Sequence, residues 1–263
     1  MAQYETIKLE REGDVAILTL NRPERLNACP PAMADEIFAA IRDLGDARAL
    51  LIRGEGRAFC SGADLAGGRG EDSATSGGDR SYTVLQQSYN PMMAALWNLA
   101  IPVVTAVNGP AAGIGCSIAL AGDFVLAGKS GYFLQAFVNI GLVPDGGSSW
   151  ILPRLAGLAQ ATRMMMLGER IHGEEAERIG LIYKCVEDDA LAAEARALAD
   201  RLAAGPTVAL ARMKANVRNG LQSDLNTALM LEADGQRIAG STQDAREGGL
   251  SFLEKRKPVF KGC

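Results

Sequence analysis

The sequence predicts an α/β protein with a helical C-terminal region. Strand-length apolar or alternating runs are interleaved with segments of helical spacing over residues 1–190. From residue 191 to 263 the helical spacing continues almost without strand signals. Glycine is abundant, 30 of 263 residues, and clusters beside the apolar runs. That placement suits tight turns and backbone lying close to a ligand better than a flexible linker. The length suits one large domain, or one domain with a small appendage, and buries a core without staples.

Tyr4–Leu9 and Val15–Leu20 alternate as strands, and Glu12-Gly13-Asp14 is turn chemistry, so a hairpin is expected. A polar, proline-broken loop follows over residues 21–27. Pro31–Leu44 reads as a helix with Met33, Ile37, Phe38 and Ile41 on one face. Ala49–Ile52 is a short buried strand. Residues 54–80, rich in Gly, Ser, Asp and Arg, read as a long loop. Tyr82–Leu99 reads as helical, with Pro91 starting a new segment or a kink. Val103–Val107 is a β-branched strand. A glycine-rich turn then leads to a small-residue helix near Gly115–Ala121. Phe124–Ala127 and Tyr132–Leu134 are further strands. In the last third, Leu191, Ala195, Leu198 and Leu202 recur at helical spacing. Pro206 restarts a helix, and Ser241 or Thr242 can cap another. Such helices pack on their own core or on a neighbouring subunit.

Several function classes are excluded. The net charge is −4, and basic residues concentrate only in the tail at Lys255, Arg256, Lys257 and Lys261, so nucleic acid is not an expected partner. That tail is either a solvated terminus or a patch for ligand phosphates. Five scattered cysteines with no CxxC spacing argue for reduced thiols and a cytoplasmic location. No secretory signal or membrane-spanning run is present. His172 is the only histidine, so zinc sites and histidine-based triads lack parts, and it reads as solvated or capping. No phosphate-binding P-loop exists, and Gly113-Ile114-Gly115 lacks the third glycine of a dinucleotide fingerprint. No metal or separate cofactor is expected.

Two glycine-rich loops remain, Phe59-Cys60-Ser61-Gly62-Ala63-Asp64-Leu65 and Val107-Asn108-Gly109-Pro110-Ala111-Ala112-Gly113-Ile114-Gly115. Each follows a strand, and the second opens a helix. Tight packing explains either loop alone. Two outward N–H groups converging on one point would instead make an oxyanion hole, helped by the helix N-terminus.

Taken in order with Asn21–Ala28, Gly141–Gly147 and Phe252–Pro258, these loops resemble the crotonase (enoyl-CoA hydratase/isomerase) superfamily over nearly the whole chain. The resemblance implies a spiral of ββα repeats with a C-terminal helical trimerisation region, assembled as a homotrimer or a hexamer. It implies an acyl-CoA thioester as partner, with coenzyme A as part of the substrate. The N–H groups of Ala63 and Ile114 would form the oxyanion hole. Arg25, Leu26 and Ala28, with Asp64 and Leu65, would line the coenzyme A. Ser61, Gly113, Pro144 and Phe137 would line the substrate, and Lys255, from a neighbouring subunit, would sit near the phosphates.

Hydratases of the family use two glutamates, and here both positions differ: Ser117 in Gly115-Cys116-Ser117, and Phe137 in Leu134-Gln135-Ala136-Phe137. Serine is a poor base and phenylalanine carries no proton. One acid appears instead, Asp145 in Pro144-Asp145-Gly146-Gly147. By itself it reads as a turn or N-cap residue. In the family setting it resembles the isomerase branch, where one carboxylate takes a proton from one carbon and returns it to another. The sequence most resembles the phenylacetate-pathway isomerase branch, over Tyr89-Asn90-Pro91, Asn108–Gly113, Gly141–Gly147 and Gln236–Gly240. Ser148-Ser149 and the loop 66–80 depart from it. The alternatives are a hydratase or hydrolytic relative using Asp145 on water, and a catalytically silent acyl-CoA-binding protein.

Overall fold

The computed structural model describes residues 4–64 and 77–263. Leu65 and most of the loop 66–80 lie outside them.

The strands are β1 (Ile7–Glu12), β2 (Val15–Leu20), β3 (Ala49–Gly54), β4 (Val103–Val107), β5 (Pro110–Ala112), β6 (Phe124–Gly128), β7 (Tyr132–Leu134), β8 (Arg170–His172) and β9 (Lys184–Val186). They form a six-stranded sheet in the order β1-β2-β3-β4-β6-β9 and a three-stranded sheet in the order β5-β7-β8. The hairpin β1-β2 is antiparallel, and every other pairing in the larger sheet is parallel. The hairpin closes at Glu12 opposite Val15, with Gly13 at φ +61° in the turn. Strand β1 starts later than its sequence pattern suggests. The Glu36 carboxylate accepts the Glu5 and Thr6 N–H groups at 2.9 Å each, which takes them out of the ladder.

The helices are α1 (Pro31–Arg42), α2 (Gly77–Val84), α3 (Asn90–Asn98), α4 (Ile114–Leu120), α5 (Ser148–Leu167), α6 (Gly173–Arg178), α7 (Leu191–Ala203), α8 (Thr207–Gly220), α9 (Leu225–Gly240) and α10 (Gln243–Leu253). The loop expected over 54–80 gives way to helix at Gly77. Ser81 and Thr83 hydroxyls donate back to the Gly77 and Asp79 carbonyls there. Pro91 does not break the following run. A π-helical stretch over Leu85–Tyr89 lets a fresh helix start with the proline in its first turn, where its missing N–H leaves no bond unmade. The glycine-rich turn expected after β4 contains a strand of its own, β5.

Strand periodicity explains the layers. Val15, Ile17, Ala49, Leu51, Val104, Ala106 and Leu126 point to one face of the large sheet, where Leu191, Ala195, Ala199 and Ala203 of α7 cover them. Their neighbours Ala16, Leu18, Leu20, Leu50, Ile52, Val103 and Val107 face the other way, into the main core with α1, α3 and α4. The stripe on α7 therefore packs on its own core. Small alanines on the buried side let the helix sit close to the sheet. The pair α8-α9 behaves differently and leaves Met213, Val217, Leu225 and Met230 exposed. Thr242, not Ser241, caps α10, accepting the Ala245 N–H at 3.0 Å. No helix among the described residues is long and apolar enough to cross a membrane.

Ala199 is fully buried between α7 and the sheet. Ala199→Leu should destabilise the protein by about 1–3 kcal/mol through overpacking, read as a lower urea midpoint at unchanged m-value.

Candidate active site

The site lies where the loops after β3 and β4 meet, at the carboxyl ends of parallel strands. Such ends are where an open α/β sheet presents loops for binding. Asn27 anchors the first wall. It is completely buried, its amide donates to the Glu55 and Ala58 carbonyls at 2.9 and 2.8 Å, and its Oδ1 accepts the Arg22 N–H. This knot holds Leu26 and Asn27 at positive φ, 51° and 53°. The Ser61 N–H then donates to the Leu26 carbonyl at 3.0 Å, bringing Arg25, Leu26, Ala28 and Ser61 onto one surface. Arg22 binds the Ala28 carbonyl at 2.7 Å and the Asp64 carboxylate at 2.9 Å, so Asp64 ties this wall together.

The two glycine loops are paired with each other. The Cys60 N–H donates to the Pro110 carbonyl and the Ala112 N–H to the Cys60 carbonyl, both at 2.9 Å. Gly62 adopts φ +110°, a region L side chains avoid, and a β-carbon there would meet the Ala112 carbonyl oxygen at 3.2 Å. Gly113 is the N-cap of α4 at φ +52°, and a β-carbon on it would lie 3.8 Å from Gly62 Cα. The residues that follow these glycines are Ala63 and Ile114. Among the described residues neither of their N–H groups is bonded to an acceptor. Two unspent donors on touching loops, one at a helix start, suit an anionic oxygen. The Phe137 ring caps this point, 3.5 Å from where a Gly113 side chain would begin.

Asp145 stands on the turn leading into α5. The turn rests on α4: a β-carbon at Gly146 would fall 2.6 Å from Ile114 Cδ1. Its carboxyl is mostly buried, and among the described residues its Oδ1 is buried without a partner. Burial pushes its pKa up from 3.8 to about 6. Tyr89 donates to the Cys29 carbonyl at 2.7 Å, and burial, then nearby Cys29 and Asp145, drive its hydroxyl pKa up. Burial also raises the Cys60 and Cys116 thiols to about 11 and 12, so neither is a nucleophile near neutrality.

On the far side of the Asp145 turn lies a cavity of about 930 Å³, walled by Gly146, Gly147, Met93, Trp97, Trp150 and Val208. At its polar end, Asp123 pairs with Lys214 and Arg218, both at 2.7 Å, while Arg218 stacks over Trp97. Burial outweighs Asp123 and brings the Lys214 pKa down to about 8.

A family model described as enoyl-CoA hydratase/isomerase matches residues 10–263. The chain belongs to the enoyl-CoA hydratase/isomerase family. It is 45% identical over 260 residues to a Rhodobacter capsulatus protein called "Probable enoyl-CoA hydratase", covering 98% of this chain and 99% of that one. It is 42% identical over 254 residues to 1,2-epoxyphenylacetyl-CoA isomerase of Escherichia coli, covering 95% and 96%. A crystal structure of enoyl-CoA hydratase from Bacillus anthracis superposes with a TM-score of 0.89 at 29% identity, covering 98% and 100%. The α/β fold with its helical C-terminal region is the one these relatives share.

In this family member the expected residues Ala63, Gly113, Ile114, Phe137, Pro144 and Asp145 fall on connected loops, with Arg25, Leu26, Ala28, Ser61 and Asp64 on the adjoining wall. Lys255 does not join them within one chain: it is exposed beyond α10, at φ +53°. Leu65 lies outside the described residues. His172 is exposed at the start of α6 and makes no cap bond, which leaves the solvated reading. Sequence reasoning missed Gln135, Ser148 and Tyr89. The available signal was Ser148 in place of a glycine, whose partners become visible only in three dimensions.

The raised Asp145 value means that the folded chain holds this proton more tightly than the unfolded chain does. Its contribution to stability is fully present below pH 3.8 and is lost as pH rises through about 6. Asp145→Asn should therefore raise the melting temperature at pH 7.5, by an amount worth on the order of 2 kcal/mol. The gain should shrink toward pH 4; a melting temperature below wild type at pH 7.5 would contradict the assignment of a desolvated carboxylate.

Proposed function

We propose that the protein is an acyl-CoA isomerase in which Asp145 moves a proton while the N–H groups of Ala63 and Ile114 hold the thioester oxygen. The observation that carries this reading is the largely buried Asp145 carboxyl, its Oδ1 without a partner among the described residues, on the turn that rests on Ile114. Removing a proton beside a thioester carbonyl throws negative charge onto its oxygen. Fixed donors at that oxygen are worth on the order of 10²–10³ in rate each. A base with a pKa near 6 is ionised at neutral pH, yet basic enough to accept a carbon-bound proton and return it elsewhere. Asp145 therefore serves as base and then as acid, in the manner of a double-bond shift or a rearrangement like that of the 1,2-epoxyphenylacetyl-CoA isomerase relative. Ser117 and Phe137 supply no second acid to activate water.

In the same reading, coenzyme A is part of the substrate and lies along Arg25, Leu26, Ala28, Ser61, Asp64 and Leu65, and no resident cofactor takes part. Pro144, Phe137 and Gly113 face the acyl group. The chain forms a homotrimer or a hexamer in the cytoplasm, supported by the exposed Met213, Val217, Leu225 and Met230 of α8-α9. Lys255 then reaches the phosphates of a neighbouring subunit's ligand. The relative named as a hydratase favours a second reading, water addition by Asp145.

Incubation with trans-3-hexenoyl-CoA and with trans-2-hexenoyl-CoA, followed by mass spectrometry, separates the two. Interconversion without mass gain is expected; a product heavier by one water would make the protein a hydratase. Asp145→Asn should lower kcat by at least about 10²-fold, and full activity in that variant would remove Asp145 from the chemistry. The acidic limb of kcat/KM for the wild type should fall off below about pH 6 as Asp145 takes up its proton.

A further inference from the structure

Asp145 Oδ1 is buried without a hydrogen-bond partner among the described residues, so the aim of the carboxyl rests on its backbone. That backbone is held from below. The Asp145 carbonyl accepts the Ser148 N–H at 3.1 Å and the Ser117 Oγ–H at 3.2 Å. Ser117 Oγ lies 2.8 Å from Ser148 Oγ, and Gln135 Nε2 donates to Ser148 Oγ at 2.9 Å. Each hydroxyl has one proton to give. The Ser117 and Ser148 hydroxyls share one bond in either direction, and the Ser117 hydroxyl reaches both the Asp145 carbonyl at 3.2 Å and the Gly113 carbonyl at 3.5 Å. The chain Gln135–Ser148–Ser117 thus ends against the peptide of Asp145.

All three side chains are buried, Gln135 at 0%, Ser117 at 1% and Ser148 at 2% exposure. Burial of polar groups costs free energy unless they are bonded, and Gln135 Oε1 has no partner among the described residues. Apolar side chains of similar size would fill this space without that cost. Sterics point the same way. A β-carbon on Gly146 would lie 2.7 Å from Ser117 Cβ, so the turn sits directly on Ser117.

We propose that Ser117, Ser148 and Gln135 are positioning residues for Asp145, a buried hydroxyl relay that holds its peptide and so aims its carboxyl. The proposal rests on the reading of Asp145 as the base.

The test uses full-length protein carrying ¹³C-labelled aspartate. The Asp145 carboxyl resonance is assigned by its absence in Asp145→Asn and titrated in wild type, Ser117→Ala and Ser148→Ala. This readout needs no substrate. Once the relay is cut, the carboxyl should reach solvent and titrate about one pH unit or more below wild type. In the hexenoyl-CoA assay each serine variant should lose about 10–100-fold in kcat with KM little changed. The double variant should fall no further than the worse single, because one chain is broken only once. Gln135→Met, which removes the head of the chain at similar length, should move the titration the same way and stands in for any serine variant that unfolds. A titration identical to wild type in folded relay variants overturns the proposal. If Asp145→Asn stays active, the base reading fails, and the carboxyl titration alone then decides whether the relay holds Asp145.

Discussion

The site depends on the pairing of two loops that follow neighbouring parallel strands. Cys60 exchanges backbone bonds with Pro110 and Ala112, and this two-bond ladder fixes Gly62 against Gly113. The proposed oxyanion donors are referred to that contact. The Ala63 N–H turns outward because Gly62 takes a φ that other residues avoid, and the Ile114 N–H is free because it opens a helix. Neither donor is a side chain, so no choice of residue at 63 or 114 alone could create the hole. The surrounding structure serves to keep two backbones in register: the buried Asn27 knot behind the first loop, and the β4-β6 pairing behind the second.

Against this fixed pair of donors the acid is handled differently. Most carboxylates in the chain are spent on ion pairs or backbone N–H groups: Asp64 on Arg22, Asp123 on Lys214 and Arg218, Asp244 on the tail at Lys261 and Gly262. Asp145 is withheld from such bonds. A bonded carboxylate would be a weaker base, because its hydrogen bonds stabilise the charged form. Leaving it dry and unpaired stores an unfavourable interaction in the resting fold, and the backbone of its turn bears the burden of holding it.

Much of this was legible in the chain, and the illegible parts share a cause. The strands β2, β4, β6 and β7 stood out because alternating or β-branched runs bounded by Gly, Pro or Asn have few other conformations. The helical last third was legible from its spacing, but its two destinations were not. The stripe on α7 and the stripe on α8-α9 look alike, yet one meets the sheet and the other meets solvent. Strands β5, β8 and β9 escaped notice because Pro-Ala-Ala, Arg-Ile-His and Lys-Cys-Val carry little strand signal of their own, unlike the equally short but aromatic β7. The helix start at Gly77 was hidden by a composition that resembles a loop.

For function, the sequence by itself determined the family and pointed to the two glycine loops and to Asp145 as candidate site residues. These are properties of residue type and order, which a chain carries whether folded or not. Only the tertiary structure decided what that aspartate is like. Its pKa near 6, its Oδ1 without a partner among the described residues, and the Gln135-Ser148-Ser117 chain beneath its peptide come from residues 13 to 31 positions apart meeting in a largely buried space. Desolvation is a property of that enclosed volume, and no residue letter records it.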